Sequence, residues 1–134
     1  MTEGSRQMIT YVTLGSNDRR AAKDFYDAVL APLGLKPGYS DDEMVGYGPE
    51  GGETQLWVVA PFNGQDATAG NGTMLALAAS TRAQVDAVHA AALAGGGRDE
   101  GRPGLRENYG PNFYAAYFRD LDGNKLAVVC RSPA

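Results

Sequence analysis

The sequence predicts an α+β fold of two successive βαβββ modules, their sheets curled around a shared cup, and three observations carry that prediction. Two strand-then-helix segments superpose without a gap when Thr10 is slid onto Thr73, a shift of 63 positions. Tyr11 then meets Met74, Leu14 meets Leu77, Arg19 meets Arg82, Phe25 meets Val88 and Leu30 meets Leu93. Two later segments, LWVVA from Leu56 and LAVVC from Leu126, match at a shift of 70. Between each helix and its closing strand the chain breaks into short runs bounded by Gly, Pro or Asp, the pattern of strands joined by turns.

The elements follow in order. Residues 8–15, MITYVTLG, are rich in β-branched side chains and read as the first strand. Asn17 or Asp18 can cap the helix that follows, RRAAKDFYDAVLAPLG, whose apolar stripe is Ala22, Phe25, Val29 and Leu33. Pro32 and Gly34 mark its end. Strands at 36–39, 44–47 and 55–60 complete module 1, about residues 8–60. GTMLALAA then opens module 2, about residues 72–130, and leads into the helix STRAQVDAVHAAALAGGG. Thr81 and Gln84 form a capping box there, and the glycines at 95 to 97 stop the helix. Strands at 98–100, 113–119 and 125–130 finish the chain. The two shifts differ by seven residues, which fall in GRDEGRPGLRENYGPN, a loop long enough to carry function.

Composition narrows the function classes. The 134 residues are read as one domain, 1–134, with 43% hydrophobic and 21% charged residues, an ordinary globular balance. A net charge of −4 with no basic run excludes a nucleic-acid footprint. No apolar run reaches membrane-spanning length, and the opening MTEGSRQMITYV lacks a signal-peptide layout. The single cysteine, Cys130, cannot form an internal disulfide, so a cytoplasmic protein is expected.

The duplicated βαβββ pattern, with MITYVTLG, FYDAVLAPLGL and YFRDLDGNKLAVVC, resembles the vicinal oxygen chelate superfamily. This is the glyoxalase, bleomycin-resistance and extradiol-dioxygenase group, and the likeness runs from about residue 8 to 130. It implies a cup shared by the two modules, a small-molecule ligand and a homodimer. Metal-dependent members hold their ion with histidine on the first strand of each module, glutamate on the final strand and a polar residue on the closing strand of the first module. Those positions here are Tyr11, Met74, Ala127 and Trp57. Zinc, iron and manganese require converging imidazole, carboxylate or thiolate donors. Ala127 offers none, Met74 only a thioether and Trp57 an N–H that cannot ligate. Tyr11 could ligate only as a phenolate, against an ordinary pKa of about 10. No metal and no other cofactor is expected.

Strand alternation sets Tyr11 and Thr13 on one face, and Met74, Ala76, Ala127 and Val129 on the equivalent face. The candidate ligand-binding set is therefore Tyr11, Thr13, Tyr47, Trp57, Met74, Arg106, Tyr109 and Ala127. Tyr11 and Trp57 each carry a polar atom that suits a lined cavity. Tyr114 and Tyr117 have opposite parity, and either could face the cup. Among Arg98, Arg102 and Arg106, the last is the candidate to grip an anion. His89 reads as a helix-edge packing residue, Cys130 as an inert buried thiol, and Asp41, Asp42 and Glu43 as a solvated turn. No Ser-His-Asp set or phosphate loop is present. The leading reading is a metal-free small-molecule binder with an aromatic-lined cup. The alternatives are a metal-free enzyme of the same family, using Tyr11 as an acid or Arg106 at an oxyanion, and then a metal-dependent lyase, isomerase or dioxygenase.

Overall fold

In the computed structural model, which describes residues 7–134, the chain runs β1 (Val12–Gly15), α1 (Arg19–Leu30), β2 (Leu35–Ser40), β3 (Met44–Pro49), β4 (Leu56–Val59), β5 (Leu75–Ala78), α2 (Arg82–Ala94), β6 (Arg98–Leu105), β7 (Tyr114–Arg119) and β8 (Lys125–Cys130). Each half forms its own mixed sheet, in the orders β1-β4-β3-β2 and β5-β8-β7-β6. The duplication extends to hydrogen-bond register. Thr13 lies opposite Trp57 where β1 runs parallel to β4, and Ala76 opposite Ala127 where β5 runs parallel to β8. These are the same pair displaced by the shifts of 63 and 70.

The helices start and stop where their caps dictate. Asp18, rather than Asn17, caps α1 by accepting from the Ala21 N–H, while the Thr81–Gln84 capping box opens α2. Pro32 cannot donate to the helical ladder, so α1 tightens into a 3-10 turn, Ala31–Leu33, ended by Gly34 at φ 75°. Phe25, Tyr26 and Val29 of α1 share one buried cluster with Val45, Tyr47 and Val58 of the first sheet. Val85, Val88 and Ala92 of α2 join the same cluster with Ala116, Phe118 and Val128 of the second. Phe25 and Phe118 have ring centroids 6.4 Å apart, so this core crosses from one module to the other. Among the described residues no helix is long and apolar enough to cross a membrane.

The turn between β7 and β8 joins the modules. Asp120, 5% exposed, accepts from the Tyr26 hydroxyl at 2.5 Å, from the Asp122 and Asn124 backbone N–H groups at 2.9 Å each, and from Asn124 Nδ2 at 2.9 Å. Asn124 Nδ2 also donates to the Gly15 carbonyl at 3.0 Å, and the Asn17 N–H donates to Asp122 at 2.8 Å. Burial, reinforced by the Asp120 charge, pushes the Tyr26 hydroxyl well above its ordinary pKa. His89 holds the corresponding place on α2. It is buried, with Nε2 3.0 Å from Asp99 within its own module. The Gly101 N–H, followed by His89, holds the Asp99 carboxyl below its usual range.

β1 and β6 depart furthest from expectation. β1 begins at Val12 rather than residue 8, because the Val12 N–H already bonds past the start of β4, to the Gln55 carbonyl. Met8, Ile9 and Tyr11 before it are exposed. β6 extends to Leu105 rather than stopping at 100. Its pairing with β7 shifts register twice, between Asp99 and Gly101 and between Gly101 and Gly104, so the expected loop is largely a bulged edge strand. Only the stretch from Arg106 to Phe113 remains a loop, and it contains the 3-10 turn Glu107–Tyr109.

Candidate functional site

Each sheet turns one face to the helices and the other away from them, and alternation assigns every side chain. In the first sheet, Thr13, Trp57 and Gly46 lie in register on the face away from the helices. In the second, Ala76, Ala127, Tyr117 and Gly101 form the equivalent row. This settles the parity left open above. Tyr117 faces away from the helices, while Tyr114 faces α2 and donates to Asp86 at 2.6 Å.

Large rings cover both rows. Trp57, half-buried, lies across Gly46, where a Cβ would stand 2.6 Å from its ring, and meets Tyr39 edge-on at 6.1 Å. In the second sheet, Phe113 and Tyr117 pack against a small patch of Ala115, Ala127 and Val129. The Arg106 guanidinium sits 5.4 Å from the Tyr117 centroid and the Lys125 ammonium 5.7 Å from it, both within cation–π range. Beside them opens a hollow of about 750 Å³, bordered by Met74, Glu100, Asn108, Tyr109 and Phe113 as well as these cations. A second, more apolar hollow of about 390 Å³ lies along the seam, between the start of β1 and β5.

The expected site residues are divided between these places. Met74, Arg106 and Tyr109 border the module 2 hollow. Tyr11 borders the seam hollow instead, and Thr13 and Trp57 line neither. Ala127 lies in the correct row but is fully covered, as the floor beneath Tyr117 and Phe113. Tyr47 pairs with Leu56 on the helix side, 1% exposed, where its hydroxyl donates to Asp27 at 2.8 Å, and it borders the seam hollow with Tyr11. Burial and the Asp27 carboxylate raise its pKa well above the ordinary value. Lys125 and Phe113, which the sequence did not single out, also border the module 2 hollow. Lys125 stands two residues before Ala127, hence on the same face, which alternation alone could have shown. Arg98 and Arg102 are exposed on β6, although the Arg102 carbonyl accepts from Arg106 Nη2 at 2.7 Å.

A sequence model of the glyoxalase/bleomycin resistance protein/dioxygenase superfamily matches residues 8–128. The chain belongs to this superfamily. Among solved structures, it is similar to a glyoxalase/bleomycin resistance protein from Albidiferax ferrireducens T118, with 42% identity over 94% of this chain and 100% of that one and a TM-score of 0.84. A lactoylglutathione lyase from Agrobacterium tumefaciens shares the fold at 21% identity, covering 93% of this chain and 94% of that one, with a TM-score of 0.64. Among curated proteins no sequence matches.

The metal that this superfamily can carry does not fit the residues present. Tyr11 and Met74 stand just before β1 and β5, and Trp57 and Ala127 lie on β4 and β8. None of the four is an imidazole, carboxylate or thiolate donor. Among the described residues, no three His, Cys, Asp or Glu side chains gather where an ion could be held. The superfamily's metal ligands are missing from this chain.

Proposed function

We propose that this chain is a metal-free small-molecule-binding protein of the superfamily, with its ligand in the aromatic-lined hollow of module 2. One observation supports this above all. The four positions that would hold an ion carry Tyr11, Trp57, Met74 and Ala127, while aromatic rings, not donors, occupy the faces beside them. A hollow of about 750 Å³ falls within the range of small-molecule sites, roughly 300–1,000 Å³. Saturable binding without turnover is the expected behaviour, in a cytoplasmic homodimer.

Native mass spectrometry of untagged protein, purified without chelators, tests the metal-free part. A dimer mass, bare or with an organic adduct, is expected; a stoichiometric zinc, iron or manganese adduct would overturn the reading. A thermal-shift screen of small organic molecules tests the binding part, with at least one saturable stabiliser expected.

A further inference from the structure

We propose that the module 2 hollow takes a planar aromatic carboxylate, its carboxylate on the free edge of Arg106, in the field of Lys125, and its ring against Met74, Tyr109 and Phe113. This rests on the small-molecule reading above and names the ligand class.

Both cations are left unpaired, and Arg106 is held in place. Arg106 Nη2 donates to the Arg102 carbonyl at 2.7 Å, which fixes one edge of the guanidinium. Its plane passes close to two glycines of β6. A Cβ on Gly101 would come 3.3 Å from Nη2, and one on Gly104 would come 3.1 Å from Nη1. The strand bulges at both glycines, so the side chain fits against backbone where a larger residue would crowd it. Among the described residues, Nη1 and Nε of Arg106 and the ammonium of Lys125 have no acceptor, and neither cation forms an ion pair. Glu100, the one acid bordering the hollow, faces Arg119 Nε at 3.5 Å and is already matched.

A chain of net charge −4 thus places two unmatched positive groups in one concavity. An anion in the hollow lies in the field of both, and a carboxylate matches the free edge of the Arg106 guanidinium. The adjoining surface sets the rest of the ligand. Met74 is 45% exposed and Tyr109 65% exposed, with Tyr109 stacked at a tilt on Phe113, 5.4 Å between centroids. A flat apolar ring covers such a surface, through contacts that aromatic and thioether groups favour.

Isothermal titration calorimetry of the full chain with 2-naphthoate, 2-naphthamide, acetate and inorganic phosphate tests the assignment. One 2-naphthoate per chain is expected, bound at least about tenfold more tightly than the neutral amide, as a charge-assisted contact implies. Arg106→Gln should weaken 2-naphthoate about tenfold and Lys125→Gln by a smaller factor, both leaving the amide unchanged. Thermal unfolding of both variants should match the parent. Equal binding of acid and amide, parental affinity in Arg106→Gln, or no binding of 2-naphthoate would overturn the anionic class. Acetate or phosphate binding as tightly as 2-naphthoate would overturn the aromatic part. The small-molecule reading falls separately, only if the thermal-shift screen finds no stabiliser at all.

Discussion

The two modules have one topology and one register, yet they fill the face away from the helices in opposite ways. In module 1 the large ring is on β4: Trp57 faces Gly46 of β3. In module 2 it has moved to the neighbouring strand, where Tyr117 of β7 faces Ala127 of β8. Each ring also lies against a glycine of the next strand, Trp57 on Gly46 and Tyr117 on Gly101, where a Cβ would intrude to 2.6 and 2.8 Å. A sheet face tolerates a bulky residue at either of two positions, provided its neighbour is small. What separates the modules is charge. Lys125 aligns with Gln55 at the shift of 70, and Arg106 stands in the stretch where module 2 carries its extra residues. Duplication therefore supplied the scaffold twice, and divergence placed the cations, and with them the candidate site, in one half.

The seam is unequal as well, and breaking it has the largest expected effect. The β7–β8 turn of module 2 docks on the end of β1, through a buried carboxylate that accepts four hydrogen bonds. The β3–β4 turn of module 1 is exposed, and its Glu50 makes only a solvent-facing pair with Lys36. Asp120→Ala leaves Tyr26 and Asn124 without their acceptor and should cost about 3 kcal/mol. Glu50→Ala should stay within about 0.5 kcal/mol. Urea unfolding midpoints of the two variants provide the measurement, and equal losses would remove the asymmetry.

A smaller effect distinguishes the rings. Gly46→Ala drives a Cβ into Trp57 and Thr54, which should cost about 1–3 kcal/mol. Trp57 is the only tryptophan, so its emission should move to longer wavelength as the ring lifts into water. Gly101→Ala acts on the counterpart ring, displacing Tyr117 and crowding Arg106. It should weaken 2-naphthoate binding and leave the Trp57 emission unchanged. A shift in tryptophan emission with Gly101→Ala would show that the two faces are coupled.

Much of this was legible in the sequence, for physical reasons that also mark where legibility ends. Gap-free repetition of strand, helix and closing strand exposed the fold, because each module must bury the same stripe against the same sheet. The face of Tyr47 was not legible. The connection between β3 and β4 is one residue longer than that between β7 and β8, as the pairs Tyr47–Leu56 and Phe118–Leu126 show. Carried across that turn, the shift of 70 sets Tyr47 level with Tyr117, whereas the pairing sets Gly46 there. A slip of one residue reverses the face of every side chain. β6 was hidden because its glycines and Pro103 break alternation on an edge strand, where bulges are tolerated. The absence of metal donors was readable because it depends on residue type alone. The hollow was not, because it depends on where a bulged strand lays one arginine.

The mildest prediction uses pH to compare the two helices. Tyr26 on α1 is raised in pKa chiefly by burial, and His89 stands at its counterpart position on α2. A tyrosine whose folded pKa lies above its unfolded value of about 10 contributes stability that is complete below that pH. Above it, the unfolded chain releases the proton while the folded chain retains it, so stability falls as pH rises. Tyr47 acts in the same direction, its hydroxyl held by Asp27. The melting temperature should therefore decline between about pH 9.5 and pH 11. Tyr26→Phe should flatten that decline even as it lowers stability at neutral pH, because its ring has no proton to lose. His89→Gln should leave the alkaline slope as it is. Equal flattening by both variants would mean that the alkaline loss arises from the shared core rather than from the tyrosine that joins α1 to the second module.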